Sequence, residues 1–168
     1  MAKKDNVRAE EVVKSDMEES VIAITRSTKV VKGGKNFSFG AFVVVGNRNG
    51  RVGYGYGKAN EVSDAIRKGG EAARRNMFDV PLMGTTIPHQ IEVKFGGARI
   101  LLRPACSGTG LIAGGAMRSI LELAGVKDVL GKSLGASNAG NVAKATFKAI
   151  TSLSSREMIL AKRGIEKL

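Results

Sequence analysis

The stretch Phe37–Gly57 reads FSFGAFVVVGNRNGRVGYGYG and leaves the backbone few choices. Two strand-length runs, Phe37–Val45 and Arg51–Gly57, flank Asn47-Arg48-Asn49-Gly50, and Asn-Gly between β-rich runs is a strong hairpin signal. Side chains alternate along a strand, so Phe37, Phe39, Ala41, Val43 and Val45 share one face of the first run. On the second, Val52, Tyr54 and Tyr56 share a face, and Gly53, Gly55 and Gly57 leave the other bare. A glycine row weakens a strand unless another backbone must come close. Here that backbone belongs either to a packed helix or to a nucleic acid. Lys29, Lys32 and Lys35 stand at one end of the hairpin, Arg48 and Arg51 at the other. The pattern describes a rigid platform rimmed with cations.

Around this hairpin the chain reads as α+β in two units. Residues 1–20, polar and mixed in charge, form a flexible arm or a short frayed helix. Val21–Thr28 is β-rich and supplies a first strand, and Val31-Lys32-Gly33-Gly34-Lys35 interrupts it. In Asn60–Met77, the residues Val62, Ile66, Gly69 or Gly70, Ala73 and Met77 recur at helical spacing, with Asn60 or Ser63 as the cap. Arg67, Lys68, Arg74 and Arg75 lie off that stripe, as a solvated helix face or as further contacts to a polyanion. Glycine inside a helix costs roughly 1 kcal/mol relative to alanine, so Gly69-Gly70 predicts close packing on another element. Residues 21–79 are therefore β-β-β-α. Residues 80–86, with Pro81 and Gly84, are a linker.

Residues 87–168 follow as β-β-α-β-α. Gln90–Phe95 and Arg99–Pro104 make a hairpin across Gly96-Gly97. Ser107-Gly108-Thr109-Gly110 opens a helix that stops at Gly125, with Met117, Ile120, Leu121 and Ala124 inward. Val126–Leu130 is a strand, parallel to Arg99–Pro104 if that helix is the crossover. After a flexible Gly135–Gly140 stretch, Val142–Leu153 is a helix with Lys144 and Lys148 outward, and Ser155–Arg163 is a short basic terminal helix. Each unit alone buries only a modest core, so the two are expected to pack together.

Charge narrows the function. The chain carries 27 Lys and Arg against 15 acids, a net +12, with a pI near 10.1. Residues 1–20 hold 4 positive and 6 negative charges, so the other 148 residues hold +14. Such an excess points to a polyanion, and to nucleic acid before membrane, because no basic amphipathic anchor helix is present. No apolar run approaches a membrane span, and the N-terminus lacks a signal region, which makes a cytoplasmic location the expectation. One cysteine and one histidine build neither a disulfide nor a zinc site. Cys106 reads as a small buried thiol and His89 as a turn residue. No metal and no cofactor are expected.

Four patterns imitate sites. Gly108-x-Gly110-x-x-Ala113, after a strand and before a helix, with Asp128 about 20 residues on, imitates a dinucleotide fingerprint. A second βαβ half is missing, and Asp128 falls inside its strand rather than at the end. Gly57-Lys58 fails as a P-loop because Val52 and Ala59 replace the first glycine and the hydroxyl residue. Gly53-Tyr54-Gly55-Tyr56 partly matches the aromatic strand of single-strand RNA binders. The strand order is wrong for that fold, so Tyr54 and Tyr56 read first as packing residues, with stacking left open. With one histidine, and the paired acids Glu10-Glu11 and Glu18-Glu19 in the arm, no acid–base or nucleophile site forms. The chain reads as no enzyme and without a small-molecule substrate. Lys32 and Lys35 around Gly33-Gly34 differ from scattered surface lysines, because bare amides beside paired cations approach phosphate closely.

VKGGKNFSF, GYGKANEV, ARRNM and above all GTGLIAGGAMRSILELAGVKDVLGKSLGASN resemble the family of the fifth protein of the small ribosomal subunit in its bacterial form, from about Val21 to Arg163. The resemblance implies two α+β domains, the first similar to a double-stranded-RNA-binding domain and the second carrying a βαβ crossover of the rare left hand. It implies a structural constituent of the small subunit that binds small-subunit rRNA near the junction of head and body. Its neighbours would be small-subunit proteins four and eight and the path by which mRNA enters. The loop matching Val31–Lys35 would probe rRNA near the spectinomycin site. Gly110 and Arg118 match positions facing protein four, where contacts bias decoding accuracy. A clear first helix and the histidine loop of a standard double-stranded-RNA-binding domain are lacking, so a folded rRNA junction suits this chain better than a regular duplex. The expected RNA-binding set is Arg26, Lys29, Lys32, Gly33, Gly34, Lys35, Arg48, Arg51 and Lys58. A free RNA-binding regulator and a nucleotide-dependent enzyme are the rival readings.

Overall fold

The computed structural model describes residues 17 to 164. The first sheet is antiparallel, in the order β1 (Glu18–Val31), β2 (Gly34–Gly46), β3 (Arg51–Ala59) and β4 (Met77–Asp79), with α1 (Val62–Arg75) between β3 and β4. The second contains β5 (Ile91–Phe95), β6 (Ala98–Pro104), β7 (Leu111–Ile112) and β8 (Val129–Ser133), in the order β5-β6-β8-β7. Helix α2 (Gly115–Ala124) joins β7 to β8, and α3 (Ala139–Thr151) and α4 (Arg156–Lys162) complete the described chain.

The glycine row of β3 faces α1. A Cβ on Gly53, Gly55 or Gly57 would overlap the carbonyl oxygen of Ala73, Gly69 or Ala65 respectively. Gly69 does the same from the helix side, where a Cβ would stand 2.8 Å from Cγ2 of Val43. The close backbone is therefore the helix and not a nucleic acid. Only small residues fit in so narrow a gap, and the buried cluster there is Ala41, Val43, Val45, Ala65 and Ala73.

The opposite face of the first sheet lies against the second unit. Phe42, Val44 and Val52 join Met117, Ile120, Leu121 and Phe147 in one continuous core. Residues Ala41 to Val45 are thus buried on both faces, which explains why their apolar character runs on without alternating. Tyr54 sits between Phe42, 5.6 Å away and stacked, and Phe147 at 4.4 Å, while Phe78 meets Phe147 edge-on at 5.7 Å. Such pairs each add about 0.5–1.5 kcal/mol beyond area burial.

A second junction uses hydrogen bonds. In the β2–β3 turn, Arg48 N–H donates to Leu123 O (3.0 Å) and Gly50 N–H donates to Ala124 O (2.9 Å). Helix ends leave their last carbonyls without partners, and here amides from the other sheet supply them. Arg48 adopts a φ of +54°, the one positive value outside glycine among the described residues. The Asn47 side chain braces the turn by accepting from Asn49 N and Arg51 N.

Several expectations need correction. β1 outruns Val21–Thr28 at both ends, because Val30 pairs with Lys35 and Val31 with Gly34. The turn is then only Lys32-Gly33, with Gly33 at φ +104°. The arm expected over residues 1–20 lies outside the described residues as far as residue 16, and Glu18–Ser20 belong to β1. The cap of α1 is Glu61, without a side-chain bond, rather than Asn60 or Ser63. β8 starts at Val129 and runs antiparallel to β6; its parallel partner is β7, so α2 crosses between β7 and β8. Gly108 and Gly110, at φ +89° and +80°, turn the chain back and leave room for two extended residues before α2. Cys106 is exposed in the loop after β6, not buried.

Gly57→Ala should lower unfolding stability by about 1–3 kcal/mol, the usual range for overpacking, because α1 cannot withdraw without opening its cluster. Gly34→Ala, whose Cβ meets nothing within 4 Å, should stay within about 0.5 kcal/mol of wild type. Urea denaturation of both variants checks the contrast.

Candidate nucleic-acid interface

Beyond the edge of α1, the β1–β2 hairpin continues as a two-stranded ribbon in which every residue from Ile24 to Phe37 is exposed. Opposed residues of an antiparallel pair share a face, so the register sorts the cations. Arg26 opposite Phe39 and Lys35 opposite Val30 lie on the α1 side. Lys29 opposite Asn36 lies on the other, as does Lys58, opposite Gly40, whose other partner is Thr25. Lys32 occupies the turn, where neither Gly33 nor Gly34 has an atom within 4 Å of a would-be Cβ. The tip is bare backbone between cations.

From Ser20 to Asn60 the sequence has no acid at all. Lys29, Lys32, Lys35 and Lys58 accordingly make no ion pair among the described residues. The Arg26 guanidinium lies over the Phe37 ring, 5.0 Å from its centroid, an arrangement that orients the cation without neutralising it.

The other two predicted cations are placed differently. Arg48 reaches Glu18 at 2.7 Å and Glu122 at 3.4 Å, tying the turn to β1 and α2. Arg51 pairs with Asp79 at 3.1 Å across β3 and β4. On the polar face of α1, Arg67 pairs with Asp64 and Glu71, and Arg74 pairs with Glu19. Exposed pairs of this kind contribute about 0–1 kcal/mol each, yet they cancel positive field locally. The hairpin ribbon and Lys58, by contrast, carry cations with no ion pair among the described residues and no acid in the surrounding sequence.

The glycine turn before β7 has its own partner. The Asp128 carboxylate accepts from Gly110 N–H (2.9 Å) and Gly108 N–H (3.0 Å), and is buried just ahead of β8. These amides are the ones a pyrophosphate would need, so the dinucleotide imitation is filled by the chain itself. The Gly110 amide first, then the Thr85 side chain, and then the Gly108 amide and Lys127 hold the Asp128 carboxyl below the usual carboxylate range, against the opposing effect of burial. Gly110 at φ +80° has open space where a side chain would point. Arg118 is exposed in the first turn of α2, which directly follows edge strand β7.

Sequence reasoning missed one concavity. A cleft of about 370 Å³ lies between the Lys29–Lys58 face of the first sheet and the start of α3, lined by Thr25, Phe42, Tyr56, Asn141 and Lys144 among others. Tyr56 and Lys144 come from different units, so no local pattern could have paired them. Among the described residues no group of three or more His, Cys, Asp or Glu could hold a metal ion, and no helix is long and apolar enough to cross a membrane.

Two family descriptions match this chain: Ribosomal protein S5, N-terminal domain, over residues 17–81, and Ribosomal protein S5, C-terminal domain, over residues 93–163. It is also similar to the small ribosomal subunit protein uS5 of Protochlamydia amoebophila (strain UWE25). The two are 55% identical over 163 residues, which cover 97% of this chain and 95% of the relative.

Asp128 gives a pH prediction. A carboxyl with a depressed folded pKa stabilises fully above its unfolded value, about 3.9, and loses that contribution as pH falls through the folded value. The stability advantage of wild type over Asp128→Asn should be constant above about pH 5 and shrink below about pH 4. Denaturant midpoints measured across that range check it.

Proposed function

The chain belongs to the ribosomal protein S5 family, and from that premise we propose how it works. It is a structural, non-enzymatic constituent of the small ribosomal subunit in the cytoplasm, and it binds rRNA. Residues 18–79 form the RNA-binding domain, with Glu18–Ser20 part of its first strand, residues 80–86 the linker and residues 87–168 the second domain. The hairpin ribbon is the principal contact: Lys32 and Lys35 reach phosphates on either side of the Gly33-Gly34 backbone, and Arg26, Lys29 and Lys58 extend the contact along both faces. The observation that carries this reading is the acid-free stretch from Ser20 to Asn60, whose exposed lysines have no carboxylate partner among the described residues. Arg48 and Arg51 act first within the protein, and meet phosphate only where it replaces a carboxylate. The contacts are to phosphate and to the shape of a folded junction rather than to base sequence.

The second domain supports decoding accuracy through an interface with small-subunit protein four, close to the path by which mRNA enters, and it neighbours protein eight. Supporting this, Gly110 and Arg118 flank an edge strand, and Ile112 on that strand is 54% exposed. A side chain at Gly110 would both strain the turn and project outward.

Lys32→Ala combined with Lys35→Ala should weaken rRNA binding and lower the log–log salt slope by about 1 per lost contact, somewhat less on non-duplex RNA. An unchanged slope would show the two lysines idle. Arg118→Ala should leave the fold intact and change misreading rates in a fidelity assay. Wild-type fidelity would remove the interface with protein four.

A further inference from the structure

We propose that the cleft between the first sheet and α3 receives one unpaired nucleobase of the bound RNA, stacked on Tyr56. The inference rests on the rRNA-binding reading above and adds a site that the phosphate contacts do not require. The two tyrosines of the GYGYG run have separate environments. Tyr54 is enclosed by Phe42 and Phe147, whereas Tyr56 is 56% exposed. The outer end of the Tyr56 ring lies over Gly40, where a Cβ would overlap its hydroxyl group. Gly40 thus lets the ring settle on β2 and present a π surface, already ordered, to the cleft.

The lining suits a base better than an apolar side chain. It combines an aromatic ring, the threonine hydroxyl of Thr25, asparagine side chains and a lysine, with no carboxylate. Asn138 is occupied, since its side chain accepts from Asn141 N–H as the helix cap. The Asn141 side-chain amide makes no hydrogen bond among the described residues, and the residue is half-buried beside the cleft. It can donate and accept along the edge of a base. Lys144 Nζ stands 5.6 Å from the Phe95 centroid, at a wall where the nucleotide's phosphate would emerge. A volume of about 370 Å³ falls at the small end of ligand pockets.

Charge complementarity identifies the occupant's class. Thr25, Ser27 and Lys29 lie at alternate positions of β1 on the face that carries Tyr56 and Lys58. An RNA strand held by Lys29 and Lys58 is therefore led toward the ring. Base–aromatic stacking tolerates any base, so the site selects an unstacked nucleotide rather than a sequence.

The experiment uses full-length protein and full-length small-subunit rRNA, with binding measured over a salt series. Tyr56→Ala should lower affinity roughly 5- to 150-fold, the value of one base–aromatic stack, while leaving the salt slope unchanged. Tyr56→Phe should bind like wild type. Far-ultraviolet irradiation of the wild-type complex should place a nucleotide adduct on the peptide containing Tyr56, and this readout decides the matter if Tyr56→Ala fails to fold. If a folded Tyr56→Ala binds like wild type, or no adduct forms there, the base site is refuted while the phosphate reading stands. If wild type shows no rRNA affinity, both readings fall. Full affinity with Tyr56→Ala and a protein adduct in assembled subunits would assign the cleft to a protein side chain instead.

Discussion

Two backbone carbonyls, those of Leu123 and Ala124, determine how the halves of this protein sit together. They end α2 and would otherwise face water or go unpaired, and the amides that meet them come from the turn between β2 and β3. A hydrogen bond between backbones fixes both distance and direction. Helix and hairpin can therefore neither slide nor rotate much past one another. Gly46 and Gly125 permit this approach, since a Cβ on either would strike a carbonyl across the junction. The ion pairs of Arg48 with Glu18 and Glu122 surround the same contact. The continuous core beneath it supplies cohesion, and the junction supplies geometry.

Rigidity at one end of the first sheet matters because the hairpin's exposed cations lie at the other. The ribbon continues β2, whose residues from Val45 back to Ala41 are buried on both faces. Its cations are thus held at the end of a stiff beam. This division explains the two fates of the basic residues. Arg48 near the junction helps hold the protein together, and Lys29, Lys32 and Lys35 at the tip make no ion pair among the described residues.

Features encoded over a few residues were legible in the sequence. The Asn-Gly turn, the stop at Gly125 and the close approach implied by Gly69-Gly70 each depend on local backbone freedom, and each appears where the residues put it. Features made by residues far apart were not. Nothing near Arg48 announces Glu18 or Glu122, and nothing near Tyr56 announces Lys144. The parallel partner of β8 was missed because Leu111-Ile112 is too short for alternation to carry information, while Arg99–Pro104 offered a longer and more conspicuous strand. Asp128 stood at the spacing of a ribose ligand, and only its bonds to Gly108 and Gly110 identify it as the brace of its own loop. The acid-free run from Ser20 to Asn60 was in plain view, and it marks the hairpin more sharply than net charge does.

Between Val21 and Ala23, β1 carries one more residue than β2 opposite it. The irregularity sits near the base of the ribbon, where Ala23 lines the cleft shared with Lys144. The Lys32-Gly33 turn and the unbroken β2 fix the faces of Arg26 and Lys29, and because strand side chains repeat every second residue the extra unit sets the phase of Glu18 to Val21 instead. A bend deep in the scaffold thus acts as the index mark of the strand's inner end: without it, Glu19 would fall on the face away from α1 and lose Arg74.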